Sequence, residues 1–208
     1  HGSMPQHAKD PVLMAASAVT QYQSIISRNI DPQQAAVLTV GSIQSGNDNN
    51  VIPDKALLKI NLRWFSESVR EQLISGIKNI NRSVAIANGI PEEKMPTIQM
   101  KGYSSPLVND PALMARLSNS FNNVLDGSQI IEDAPPAMAS EDAHLLLGDY
   151  ADVPLAYIMV GVARPEAFAD AGYKPPYFNH NGDYKVELGA IPTGSHMATI
   201  TVLELLGI

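Results

Sequence analysis

Residues 46–65 read GNDNNVIPDKALLKINLRWF, and the change of character within this stretch decides the fold. The run Gly46-Asn47-Asp48-Asn49-Asn50 collects residues that tolerate positive φ and bond their own backbone, so it predicts a turn. After it, Leu58, Ile60, Leu62 and Trp64 alternate with Lys59, Asn61 and Arg63. Period-two alternation puts the apolar set on a buried face of a strand and the polar set on an open one. A β-rich stretch at 36–44 precedes the turn, and pairing it with 51–65 predicts a hairpin.

Helices are expected on both sides. Asp10-Pro11 is a helix start, because the carboxylate caps free amides and proline loses nothing at the first helical position. Leu13, Ala16, Val19, Tyr22 and Ile26 follow at helical spacing, to about Asn29. Ser66 caps a second helix over 67–87, with Val69, Leu73, Ile77 and Ile80 inward, and Gly89 with Pro91 ends it. Residues 97–103 are expected to add a strand. The order helix, strand, strand, helix, strand is a ferredoxin-like α+β unit, βαββαβ lacking its first strand. That strand is central in such a sheet, and without it two neighbours carry unpaired backbone groups. The expectation is that the parent polypeptide supplies it ahead of His1, and that this chain alone would aggregate or unfold.

Past Pro106 a second Asp-Pro start, Asp110-Pro111, predicts a helix to about Asp126. Residues 154–162 read as an apolar strand buried on both faces of a parallel sheet. Residues 188–206 read as a final apolar helix containing Gly194-Ser195-His196-Met197. A boundary near 104 separates 1–104 from 105–208, and the fold class is α/β.

With 208 residues, 45% hydrophobic and 17% charged, the chain has the make-up of ordinary globular proteins. Its 21 acidic against 14 basic residues give a net charge of -7, which argues against nucleic acid or an anionic membrane as partner. The absence of cysteine excludes a disulfide framework and a thiolate metal site. No apolar stretch approaches the roughly 20 residues of a membrane helix. The expected setting is the cytoplasm, with a periplasmic or secreted location left open.

Four ordered patterns carry chemistry. They are His1-Gly2-Ser3-Met4-Pro5 with Asp10-Pro11; Gly46 with Asn50-Val51-Ile52-Pro53-Asp54 and then Arg63; Met138-Ala139-Ser140-Glu141-Asp142; and Asn179-His180-Asn181-Gly182-Asp183-Tyr184 before Ala190-Ile191-Pro192-Thr193-Gly194. Together they resemble the M20 family of metal-dependent amidohydrolases and peptidases, the aminoacylase and hippurate-hydrolase kind, in its C-terminal portion. The resemblance implies a ferredoxin-like lid that mediates dimer contacts at 1–104 and the C-terminal part of an α/β metallohydrolase catalytic domain at 105–208. It also implies a pair of divalent metal ions (Zn, Mn or Co) whose bridging water attacks an amide carbonyl while a glutamate acts as general base.

By the same resemblance His180 is the one metal ligand inside this chain. His1 matches a lid histidine that reaches the partner's active site and steadies the oxyanion, a role whose loss typically costs about 10²- to 10³-fold in rate. Arg63 and Asn50 match residues that hold a substrate carboxylate, for which the planar fork of arginine is suited. Ser140 lines the substrate pocket. Each residue has a plainer reading: His180 a loop histidine, residues 1–4 the remnant of an expression tag, Arg63 a solvated surface arginine, Asn50 a turn residue, Ser140 a helix cap. The chain departs from the family pattern at Ala143 and His144 after Glu-Asp, at Gly182 after His180, and at Lys185 and Leu188.

The expected function is hydrolysis of an amide bond in an N-acyl amino acid or small peptide bearing a free carboxylate, by a homodimer whose parent polypeptide completes the metal site. This chain is expected to be inactive alone. The alternatives are a non-catalytic dimerisation or interaction module and, among enzymes, a dipeptidase or carboxypeptidase.

Overall fold

The computed structural model describes residues 1–127, 130–132, 134–150, 152–163, 181–182 and 184–208. They form two compact units, His1–Leu107 with Ala137–Ala143, and Val108–Pro136 with His144–Ile208.

In the first unit, helix α1 (Pro11–Ser24) starts where expected. The Asp10 carboxylate accepts from the amides of Val12 at 2.9 Å and Leu13 at 3.3 Å. A π turn, Ile25–Asn29, continues the helix. Strands β1 (Ala36–Ser45) and β2 (Ala56–Trp64) pair antiparallel, with Val37 opposite Arg63 and Thr39 opposite Asn61. The register slips between Val40 and Ser42, a bulge at Gly41 that the alternation did not reveal. β2 begins at Ala56 rather than at 51. Pro53 has no amide for a ladder, and the Ser45 hydroxyl donates to the Lys55 carbonyl at 2.7 Å, closing a longer loop. Helix α2 (Glu67–Ala87) has the expected span, and the Ser66 hydroxyl accepts from the Val69 amide at 3.4 Å.

Its core joins Ala18, Tyr22 and Ile25 to Ile30, Leu38, Val69, Leu73, Ile77 and Val84, with Leu58, Ile60, Leu62 and Trp64 packing from β2. Tyr22 donates its hydroxyl to the Asn81 side-chain oxygen, and burial pushes the phenol pKa up. Gly76 sits inside α2 because Ile25 fills its space: a Cβ there would lie 2.9 Å from Ile25 Cδ1.

Residues 97–103 form no strand. In a ferredoxin-like sheet the last strand pairs only with the first, and no strand precedes α1 among the described residues, so this segment has no ladder partner. Side chains hold its end instead. The Tyr103 ring stacks 6.3 Å from Trp64, its hydroxyl donates to Glu67 Oε1 at 2.8 Å, and the Arg70 guanidinium lies over the ring at 4.9 Å.

In the second unit, α3 (Pro111–Val124) and α4 (Ala190–Leu206) bury Leu117, Phe121 and Ile200 together. The Asp110 carboxylate accepts from the Leu113 amide at 2.7 Å. Arg116 and Glu204 form an ion pair between the helices, and Ser120 Oγ donates to Glu204 Oε2 at 2.6 Å. That hydroxyl first, and Arg116 second, hold the Glu204 carboxyl below its usual range. Met197 packs on the core, which seats Gly194-Ser195-His196-Met197 inside α4.

The expected strand at 154–162 is also absent. The Tyr157 amide donates to Asn109 Oδ1 at 2.7 Å while Asn109 Nδ2 donates to the Tyr157 carbonyl at 3.0 Å, so one side-chain amide does what a neighbouring strand would do. Burial alternates from Ala156 to Val162 instead of running continuously. The architecture is α/β: the α-β-β-α portion of a ferredoxin-like unit, and a helical unit with irregular connections. Among the described residues no helix is long and apolar enough to cross a membrane.

Candidate functional site

Residues 1–4 form a tight turn, with the Met4 amide donating to the His1 carbonyl at 2.9 Å. Within it the Ser3 amide donates to His1 Nδ1 at 3.1 Å, and the Ser3 hydroxyl lies 2.9 Å from the same nitrogen. A backbone N–H can only donate, so Nδ1 is the unprotonated nitrogen of the neutral ring and Nε2 carries the hydrogen. The imidazole therefore offers one N–H donor, the form suited to a developing oxyanion.

The turn is fastened to the hairpin loop. The Gly2 amide donates to the Asn50 carbonyl at 2.7 Å, and a Cβ on Gly2 would stand 3.2 Å from that oxygen. Gly46, at φ 69°, takes the left-handed conformation that opens the loop. Between turn and loop lies an open depression of about 610 Å³ lined by Gly2, Pro5, Asp10, Val12 and most of residues 45–53. His1 and Asn50, two of the expected site residues, are thus brought together, with the Asn50 backbone making the link.

Arg63 lies at the far end of the hairpin from this loop. From Ala56 to Arg63 the strand runs roughly 23 Å at about 3.3 Å per residue. The guanidinium is half-buried, its Nε donates to Asn61 Oδ1 at 2.8 Å, and its Nη1 is buried without a partner. A buried donor left unpaired is costly, more so on a charged group, and an anionic oxygen is the partner that relieves it.

Ser140 is exposed and belongs to the stretch that joins the first unit. The reading of Ser140 as a helix cap is corrected here. Glu141 accepts from the amides of Asp142 at 2.9 Å and Ala143 at 3.0 Å, heading a short 3-10 turn, Ala143–Leu147, because its longer carboxylate reaches both donors. The Ser104 hydroxyl donates to the Glu141 carbonyl at 2.7 Å, fixing the motif within the unit.

His180, with Asn179 and Asp183, lies outside the described residues. Among the described residues no three His, Asp or Glu side chains converge to hold a metal ion. The described part of the chain therefore does not itself fit a metal pair.

The first unit is thus an α-β-β-α arrangement with one polar sheet face open and a histidine-bearing turn fastened to its hairpin loop. Residues 1–89 match the family described as the peptidase dimerisation domain. The chain belongs to the M20 family of hydrolases, whose members are generally metal-dependent. It is 34% identical to an N-acetyldiaminopimelate deacetylase of Streptococcus suis over 165 residues, 79% of this chain and 42% of that protein. It is 33% identical to one of Enterococcus faecalis over 175 residues, 84% and 44%. A third, of Leuconostoc citreum, is 35% identical over 147 residues, 71% and 37%. The crystal structure of a candidate aminohydrolase from methicillin-resistant Staphylococcus aureus shares the fold, with TM-score 0.71 and 22% identity over 98% of this chain and 47% of that one. The chain spans less than half the length of these curated relatives.

The sequence reading missed the Gly2–Asn50 tie, the Asn61–Arg63 bond and the Trp64–Glu67–Arg70–Tyr103 cluster. Only the second left a sequence signal: Asn61 and Arg63 stand two apart on the polar face of one strand.

Proposed function

We propose that this chain is the lid-bearing, C-terminal portion of a metal-dependent hydrolase that cleaves the amide bond of an N-acyl amino acid or small peptide with a free carboxylate, acting as a homodimer. Residues 1–104 are the lid and 105–208 part of the catalytic domain. The observation that carries the reading is Arg63, a guanidinium on an open sheet face with a buried Nη1 that no group of the described chain satisfies. It binds the carboxylate. Asn50 and Ser140 add polar contacts to the substrate, and His1 Nε2–H donates to the carbonyl oxygen as negative charge builds on it.

His1 and Asn50 lie at one end of the hairpin and Arg63 at the other, so one small substrate does not reach all three within a single protomer. The homodimer resolves this, with the loop end of one protomer meeting Arg63 of its partner across a two-fold axis. The family's divalent ions, which supply an activated water when bound, would take His180 from this chain and their other ligands from the rest of the polypeptide. A chain that lacks those ligands acts as a dimerisation module only.

The test is release of free amino acid from a panel of N-acetyl amino acids and dipeptides by the full-length protein loaded with Zn²⁺, Mn²⁺ or Co²⁺. Turnover is expected, falling about 100-fold in kcat in His1→Ala with a smaller change in KM. No release with any of the three metals contradicts the proposal.

A further inference from the structure

We propose that Asn61 is a positioning residue that acts through Arg63, a step that rests on the carboxylate-clamp reading given above. Asn61 and Arg63 share the outward face of β2, and Asn61 Oδ1 accepts the Arg63 Nε hydrogen at 2.8 Å. The residues opposite them, Thr39 and Val37, bring no acid, and among the described residues Arg63 takes part in no ion pair.

A guanidinium offers a carboxylate two forks, Nε with one Nη or the two Nη groups end-on. Occupying Nε fixes the plane of the group and leaves the end-on fork, which contains the unpartnered Nη1. The holder is a neutral amide. An acid in its place would neutralise Arg63 and repel the incoming carboxylate, so the chemistry at 61 sets both the aim and the strength of the clamp.

The experiment compares an N-acetyl amino acid with its C-terminal carboxamide, using the metal-loaded full-length protein and the variants Asn61→Ala, Asn61→Asp, Arg63→Ala and the double Asn61→Ala/Arg63→Ala. The inference predicts that Asn61→Ala raises KM for the carboxylate substrate about tenfold, leaves kcat within about twofold, and leaves the carboxamide KM unchanged. Asn61→Asp raises the carboxylate KM further, and Asn61→Ala adds nothing once Arg63 is gone. If Arg63→Ala raises the carboxylate KM but Asn61→Ala does not, or the two effects multiply, the inference is overturned and the clamp stands. If Arg63→Ala leaves the carboxylate-to-carboxamide ratio unchanged, the clamp itself falls. Should Asn61→Ala lose its cooperative melting transition, Asn61→Ser is read by the same ratio and the same cycle.

Discussion

The two units are held together differently. The first encloses eleven buried apolar side chains, nine of them in one cluster drawn from both helices, the π turn, β1 and the residue after the turn, with Tyr22 and Leu73 at 0% exposure. The second, among its described residues, buries three, and α4 leaves Ile191, Val202, Leu205 and Leu206 exposed. Polar ties add to that small cluster: the Arg116–Glu204–Ser120 contact and the Asn109–Tyr157 amide pair. The first unit has a core of its own, whereas the described residues of the helical unit present apolar surface.

The sharpest way to break this comparison is to empty both cores. Leu73→Ala should cost about 4 kcal/mol and Leu117→Ala about 2 kcal/mol, because a cavity ringed by a large cluster cannot collapse as a small, half-open one can. Urea unfolding midpoints measure both, and equal losses would contradict the contrast. Next in size, Gly76→Ala should destabilise the first unit by about 1–3 kcal/mol despite alanine's better helix propensity, since the new methyl overlaps Ile25. A gain in melting temperature would show that Ile25 moves aside freely.

The smallest effects separate the units by pH. The pKa of Tyr22 is raised in the fold by burial, so its contribution is complete below its ordinary value of 10.0 and is lost as pH climbs through the raised value. The pKa of Glu204 is lowered by Ser120 and Arg116, so its contribution is complete above the ordinary 4.5 and is lost as pH falls through the lowered value. The lid should weaken first in alkali and the helical unit in acid. Tyr22→Phe and Glu204→Gln should each flatten one limb of the melting-temperature profile and leave the other unchanged.

What was legible in the sequence was local. Asp10-Pro11, Asp110-Pro111 and Ser66 announced helices because a cap and the amides it serves lie within three residues of each other. The hairpin's polar face was legible from alternation in β2. Residues 97–103 and 154–162 carry β-like composition, but a strand exists only where a ladder partner exists, and that partner is not encoded in the segment itself. The candidate site divides in the same way. His1, Asn50 and Arg63 were singled out by ordered motifs, yet the separation of Arg63 from the other two depends on hairpin length, and the Gly2–Asn50 bond on a contact across nearly fifty positions of sequence.

That separation yields the most direct test. In the full-length, metal-loaded protein assayed with a carboxylate substrate well below its KM, His1→Ala and Arg63→Ala should each be nearly inactive, but mixing equal amounts under conditions that exchange protomers should restore about a quarter of wild-type activity, one intact site in each hybrid dimer. If the mixture is no more active than its two components, the site is not shared between protomers, and the composite arrangement proposed here is wrong.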